Sequence, residues 1–230
     1  MAVPAPPPFR AVLFDLDGTL IDSAADICNA VNALLTAHDR EPLSKAAVRA
    51  MIGDGAGALI KSALTATGGV PDSPPLAHWV NEYLDIYAAQ NTQPDCVYPN
   101  VHNVLSHLTR QGVRLGLCTN KPEQITIKAL TETGLDRYFG AIVGGDTLPF
   151  HKPDGRPLTQ AIQWLDAAYE AAVMVGDSIN DVKAARAAAV PVILVRYGYS
   201  RTPIETLGAD IVIDQFSDLP QALDSLAGRS

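Results

Sequence analysis

Two hydrophobic patterns divide the chain. Short runs made up mainly of apolar residues, as expected of strands buried on both faces, occur at residues 11–14, 113–118, 141–143, 172–175, 191–195 and 211–213, with Arg114 the one charged residue among them. Apolar residues at helical spacing fill the intervals. Ile27, Val31, Leu34 and Leu35 mark a first helix that stops near 38–42. Further helices are predicted over 44–50, 58–67 and 76–91, the last with Trp79, Val80, Tyr83, Leu84 and Tyr87 on one face. Ser23, followed by Asp26 three residues on, reads as a capped start to the first helix. No strand signal interrupts residues 23–95. From residue 97 helices alternate with strands, over 101–111, 122–134, 157–166 and 178–189. That alternation predicts an α/β fold with a parallel sheet and right-handed crossovers. The expected division is a tail at 1–8, an α/β domain built from 9–22 and 97–230, and a helical domain at 23–96. Hinges are expected near Asp22 and near residues 94–99.

The strand ends carry the chemistry. The first run leads directly into Asp15 and Asp17, then Gly18 and Thr19. In open α/β sheets ligands bind outside the carboxyl ends of the strands. Two carboxylates this close repel unless a cation lies between them, and Mg²⁺ suits a few carboxylate oxygens together with water and phosphate. With a cation present, one aspartate can attack phosphorus and the other can exchange protons with the leaving oxygen and water. Thr119 and Asn120 follow the second run, as phosphate donors or as a simple turn. Lys152 follows the third, as a solvated loop cation or as an offset to the attacking carboxylate and the transferring group. His151 is read as an ordinary loop residue. Asp177 ends the fourth run, and Asp181 lies one helical turn on, on the same face. Asp181 either supports the same cation or favours the helix dipole.

Composition narrows the class. The chain has 230 residues, 47% hydrophobic and 18% charged, which fits a soluble globular protein with a sizeable core. Its net charge of −8 argues against nucleic acid as a partner, and means that an anionic substrate needs local positive charge or metal. Cys28, Cys96 and Cys118 have no metal-site spacing and are expected to be reduced, mostly buried thiols of a cytoplasmic protein. Residues 1–8 lack the basic start and apolar block of a signal peptide, and no apolar run is long enough to span a membrane.

The stretch Phe14-Asp-Leu-Asp-Gly-Thr-Leu-Ile-Asp-Ser23 resembles the first motif of the haloacid dehalogenase-like hydrolase superfamily, in its phosphatase branch. Thr119-Asn120, Lys152-Pro153 and Gly176-Asp-Ser-Ile-Asn-Asp181 are similar to the remaining three motifs, in order and each after a strand. The resemblance covers essentially the whole chain. It implies a Rossmann-like parallel-sheet core with a four-helix, C1-type cap at 23–96. It also implies roles: Asp15 as nucleophile, Asp17 as general acid/base, and Thr119, Asn120 and Lys152 on the phosphoryl group. Mg²⁺ is then expected on Asp15, the Asp17 carbonyl and Asp177, with Asp181 supporting through water. Gly155 departs from the proline that many relatives carry there, which bears on loop stiffness.

The loop at 52–57, with Gly53, Asp54 and Gly55, resembles the cap loop of phosphoglycolate phosphatases, although it also reads as an ordinary helix–loop–helix turn. The runs at 22–26 and 196–200 share that likeness. The resemblance implies 2-phosphoglycolate as substrate, its carboxylate met by Lys45, Arg49, Lys61 or Arg196. Other small phosphomonoesters, pyrophosphate, a sugar-phosphate mutase and a non-catalytic metabolite-binding regulator are the alternatives. The chain is expected to act as a monomer or homodimer.

Overall fold

The computed structural model describes residues 9–228; the expected tail at 1–8 lies outside the described residues. Six strands form one sheet in the order β3-β2-β1-β4-β5-β6. They are β1 Ala11–Phe14, β2 Arg114–Cys118, β3 Phe139–Val143, β4 Ala172–Gly176, β5 Val192–Val195 and β6 Ile211–Ile213. Every neighbouring pair is parallel.

The central strands alternate between two cores because successive side chains leave a strand on opposite faces. Val12, Phe14, Val173, Val175, Ile193 and Val195 pack on one face, against α5 Val101–Arg110, α6 Glu123–Thr133 and α9 Leu219–Ala227. Ala11, Leu13, Met174, Val192 and Leu194 pack on the other, against α7 Arg156–Trp164 and α8 Ile179–Ala187. Both faces are covered, and so these strands read as unbroken apolar runs. The chain builds β1, β2 and β3 outwards, then returns to lay β4 on the far side of β1. The strand order therefore reverses at β1 and β4, the switch point at which open α/β sheets bind ligands.

The four helices α1 Ala24–Ala37, α2 Lys45–Arg49, α3 Ala56–Ala66 and α4 Leu76–Ala89 share a third core. Its buried members lie between Ala24 and Tyr87, joined from elsewhere by Ile125 and Tyr199. Where the chain enters and leaves this layer, two segments run side by side: Asp22 N–H donates to the Cys96 carbonyl at 2.8 Å and Tyr98 N–H to the Leu20 carbonyl at 3.0 Å.

Two helices differ from the sequence expectations, one in its presence and one in its cap. The pattern reading ends at Ile213, yet α9 follows, burying Leu219, Ala222, Leu223 and Leu226 at helical spacing. Ser23 sits at the start of α1 but its hydroxyl does not cap it; it donates to Asp17 Oδ1 at 2.6 Å. Among the described residues no helix is long and apolar enough to cross a membrane.

Leu64 of α3 is fully buried in the third core. Leu64→Ala is expected to lower the unfolding free energy by about 2–5 kcal/mol, read as a lower urea midpoint. An unchanged midpoint would place Leu64 outside any packed core.

Candidate active site

A cavity of about 630 Å³, counting the part open to solvent, lies where β1, β2 and β4 end. Asp15, Asp17, Thr119, Asn120, Lys121, Asp177 and Ser178 form its floor. Ile27, Ile52, Gly53, Leu59, Tyr83 and Tyr87, from the helical layer and its loops, form much of its roof. The register explains the floor. Phe14 pairs with Leu117 on one side and Val175 on the other, so Asp15 emerges between the ends of β2 and β4.

Three carboxylates converge here. Asp15, Asp177 and Asp181 each offer an oxygen, all within 4.8 Å of one another, and all three residues are buried. Lys152, 3% exposed, sits among them, its Nζ 2.9 Å from Asp15 Oδ1 and 2.6 Å from Asp181 Oδ1. Burial would drive this ammonium toward neutrality, but the carboxylates of Asp15 and Asp181 outweigh it and raise its pKa. Burial pushes Asp15 up to about 6 against the pull of Lys152, with the charge of Asp181 adding to the rise. Asp177 is raised well above the usual range by burial, then by Asp181 and Asp15. One ammonium beside three carboxylates leaves a surplus of negative charge that a bound cation would offset. Oxygen donors in this number suit a divalent ion.

The acids differ in how fully they are engaged. Asp181 Oδ1 accepts from Lys152, and Oδ2 from the N–H groups of Asp177 and Ser178 and from the Ser178 hydroxyl. It also closes a capping box with Ser178 at the start of α8. Of the two sequence readings of Asp181, the one at the helix start is realised in these contacts. Asp177 Oδ2 accepts from Tyr199 N–H at 2.5 Å. Asp15 Oδ1 has the ion pair with Lys152 but no aligned hydrogen bond.

Gly18 is required by this packing. Its φ is +85°, and a Cβ there would lie 2.5 Å from Asp177 Oδ2. Gly155, in the Lys152 loop, faces a similar limit: a Cβ would come within 2.7 Å of the backbone at Ala187 and Ala188. That contact gives the departure from proline a local packing context.

Asp17 points to a different set of partners. Besides Ser23, it accepts from Lys121 Nζ at 3.0 and 3.2 Å. Lys121 is buried, donates to the Tyr87 hydroxyl of α4 at 2.6 Å and lies over that ring. The sequence reading assigned Lys121 no role. Its signal was its place directly after Thr119-Asn120 at the end of a buried strand.

The remaining predicted residues are distributed unevenly. Thr119 is buried on the cavity floor. The Asn120 amide donates to the carbonyls of Gly53 and Lys152, both at 2.9 Å. Gly53, Asp54 and Gly55 lie over the rim. The Gly53 carbonyl also accepts from Asn180, while Asp54 accepts from Asn180 and Arg201. The four basic residues expected to meet a substrate carboxylate do not line the cavity. Lys45 and Lys61 are exposed. Arg49 donates to the carbonyls of Tyr197 and Gly198, and exposed Arg196 pairs with Asp214 and Glu205. The three cysteines are free, and burial pushes the thiols of Cys96 and Cys118 up to about 12, away from nucleophilic use.

A family model described as haloacid dehalogenase-like hydrolase matches residues 12–195. The chain belongs to this family. It is 40% identical to the phosphoglycolate phosphatase of Caulobacter vibrioides over 94% of this chain and 91% of that protein. It is 42% identical to that of Rhodospirillum rubrum, over 91% and 89%. The crystal structure of a predicted phosphoglycolate phosphatase from Haemophilus somnus superposes with a TM-score of 0.86 at 29% identity, covering 94% of this chain and 98% of that one. CbbY from Rhodobacter sphaeroides, solved with phosphate, gives 0.78 at 26% identity, over 92% and 96%.

The raised pKa of Asp15 sets a pH dependence. A carboxyl that ionises less readily when folded adds stability below its unfolded pKa of 3.8, and that contribution is lost as pH rises through about 6. Without divalent cations, Asp15→Asn should therefore become progressively more stable than the wild type as pH climbs from about 4 to about 6. Melting curves across that range check this, and a gap that narrows with pH would refute it.

Proposed function

We propose that the protein is a Mg²⁺-dependent phosphomonoester hydrolase that acts on 2-phosphoglycolate, releasing glycolate and phosphate. One observation carries the reading: Asp15 lies under the cavity beside Lys152, Asp177 and Asp181, in a charge-surplus cluster, with Asp17 on the same cavity floor. The phosphoglycolate phosphatases at about 40% identity over nearly the full chain support the substrate.

In this reading the donor set fits Mg²⁺. Asp15, the Asp17 carbonyl and Asp177 would hold it. Asp181, its oxygens already taken by Lys152 and the start of α8, would support through water. The ion, when bound, offsets negative charge on the phosphoryl oxygens.

The protein groups do the rest. A carboxylate oxygen of Asp15 attacks phosphorus in line, and the bond to the leaving oxygen breaks. Asp17 gives that oxygen a proton, then takes one from the water that hydrolyses the aspartyl-phosphate. Lys152 and the Thr119 hydroxyl stabilise charge on the transferring group. Asn120 contributes by holding the Lys152 loop and the Gly53 loop in register. Residues 23–96 form a cap on the core of 9–22 and 97–230, and its closure excludes bulk water.

Asp15→Asn should abolish turnover of 2-phosphoglycolate, by at least ~10³-fold, in a phosphate-release assay with Mg²⁺. Full activity in that variant would reject Asp15 as nucleophile. Asn180→Ala, which removes the tie to Gly53 and Asp54, should raise KM several-fold by loosening the loop over the cavity. An unchanged KM would show that the tie is not needed for closure.

A further inference from the structure

Among the described residues, Lys121 is the only cationic side chain that lines the cavity. We propose that Lys121 is the specificity residue: its ammonium receives the carboxylate of the leaving portion of the substrate. The assignment rests on the phosphoglycolate reading and names the group that reads it.

The substrate's own chemistry sets the geometry. In 2-phosphoglycolate a single methylene separates the leaving oxygen from the carboxylate. Whatever binds the carboxylate must therefore sit beside whatever protonates the leaving oxygen. Lys121 Nζ lies 3.0 Å from Asp17 Oδ1. Among the described residues no other cationic side chain lines the cavity. Asp17 and Asp177 would repel a carboxylate, and Ile27, Leu59 and Tyr83 would desolvate it without charge compensation.

Lys121 is also held ready. Its stem is buried, and the Tyr87 hydroxyl accepts from Nζ at 2.6 Å with the ring centroid 4.5 Å away. An ammonium has three protons; Tyr87 accepts one and Asp17 engages Nζ through both oxygens, at 3.0 and 3.2 Å, so a substrate carboxylate would replace the longer of these two contacts. Because Tyr87 belongs to α4 and Lys121 to the sheet edge, the anion is read where the helical layer meets the rim. A neutral leaving group would bind the same floor without this contact.

The test compares 2-phosphoglycolate with 2-hydroxyethyl phosphate, which has CH₂OH in place of the carboxylate. The wild type should prefer phosphoglycolate. Lys121→Met should lose about 10–100-fold more kcat/KM on phosphoglycolate than on hydroxyethyl phosphate, the range expected for a charge-assisted contact. Lys121→Arg should restore part of the preference. Equal losses on both substrates would overturn the proposal, because Lys121 would then act only through Asp17. Should melting curves show that Lys121→Met does not fold, Tyr87→Phe carries the test. It keeps the charge, and should raise KM at least threefold more for phosphoglycolate than for hydroxyethyl phosphate; an equal change overturns the proposal. A wild type with no preference rejects the substrate reading and this assignment together. A preference that survives in Lys121→Met rejects this assignment alone.

Discussion

Three buried carboxylates around one buried ammonium are the constraint on which the rest of the structure depends. Taking such groups out of water is costly, and the cost is bearable only where each oxygen finds a donor. Asp181 is fully supplied, by Lys152 and by three donors at the start of α8. Asp177 takes a backbone N–H from Tyr199. Asp15 is left with the ion pair alone. The least satisfied of the three acids thus lies on the cavity floor at the sheet's switch point. Gly18 follows from the same crowding, since a side chain there would displace Asp177.

The helical layer is tied to this cluster by polar contacts to backbone as much as by apolar packing. Asn120 and Asn180 hold the Gly53 carbonyl, Arg201 holds the Ile52 carbonyl, and Arg49 reaches the carbonyls of Tyr197 and Gly198. Contacts of this kind depend on loop shape more than on side-chain identity at the accepting positions. The loop at 52–55 takes φ of +120° at Gly53 and +85° at Gly55, backbone geometry that other residues rarely adopt. A glycine-rich loop in this place is therefore a docking surface for core side chains. Ser23 and Tyr87 add ties that run through charged groups of the cavity floor, Asp17 and Lys121.

Local pattern made most of the architecture legible. Both sheet faces are covered, so the central strands are continuous apolar runs, and Asp15 and Asp177 stand at the ends of two of them. Asp15, Thr119, Lys152 and Asp177 could be placed at a common rim because strand ends in a parallel sheet share an edge. The helix α9 carries the same local signal, Leu219, Ala222, Leu223 and Leu226 at helical spacing.

What the chain's order of residues determined by itself was the α/β class, the helical layer between the first two strands, and the set of acids at strand ends. These follow from periodicity and from short-range rules that act within a few residues. Only the tertiary structure decided which partner each polar side chain takes. Ser23 has the sequence context of a helix cap yet bonds to Asp17, and Lys121 meets Tyr87 across 34 residues and Asp17 across 104. Arg49 and Arg196, plausible anion readers by charge, are engaged elsewhere. A hydrogen-bonding group takes the best donor or acceptor within about 3 Å, and that neighbour is set by how the layers pack, which spacing along the chain does not encode.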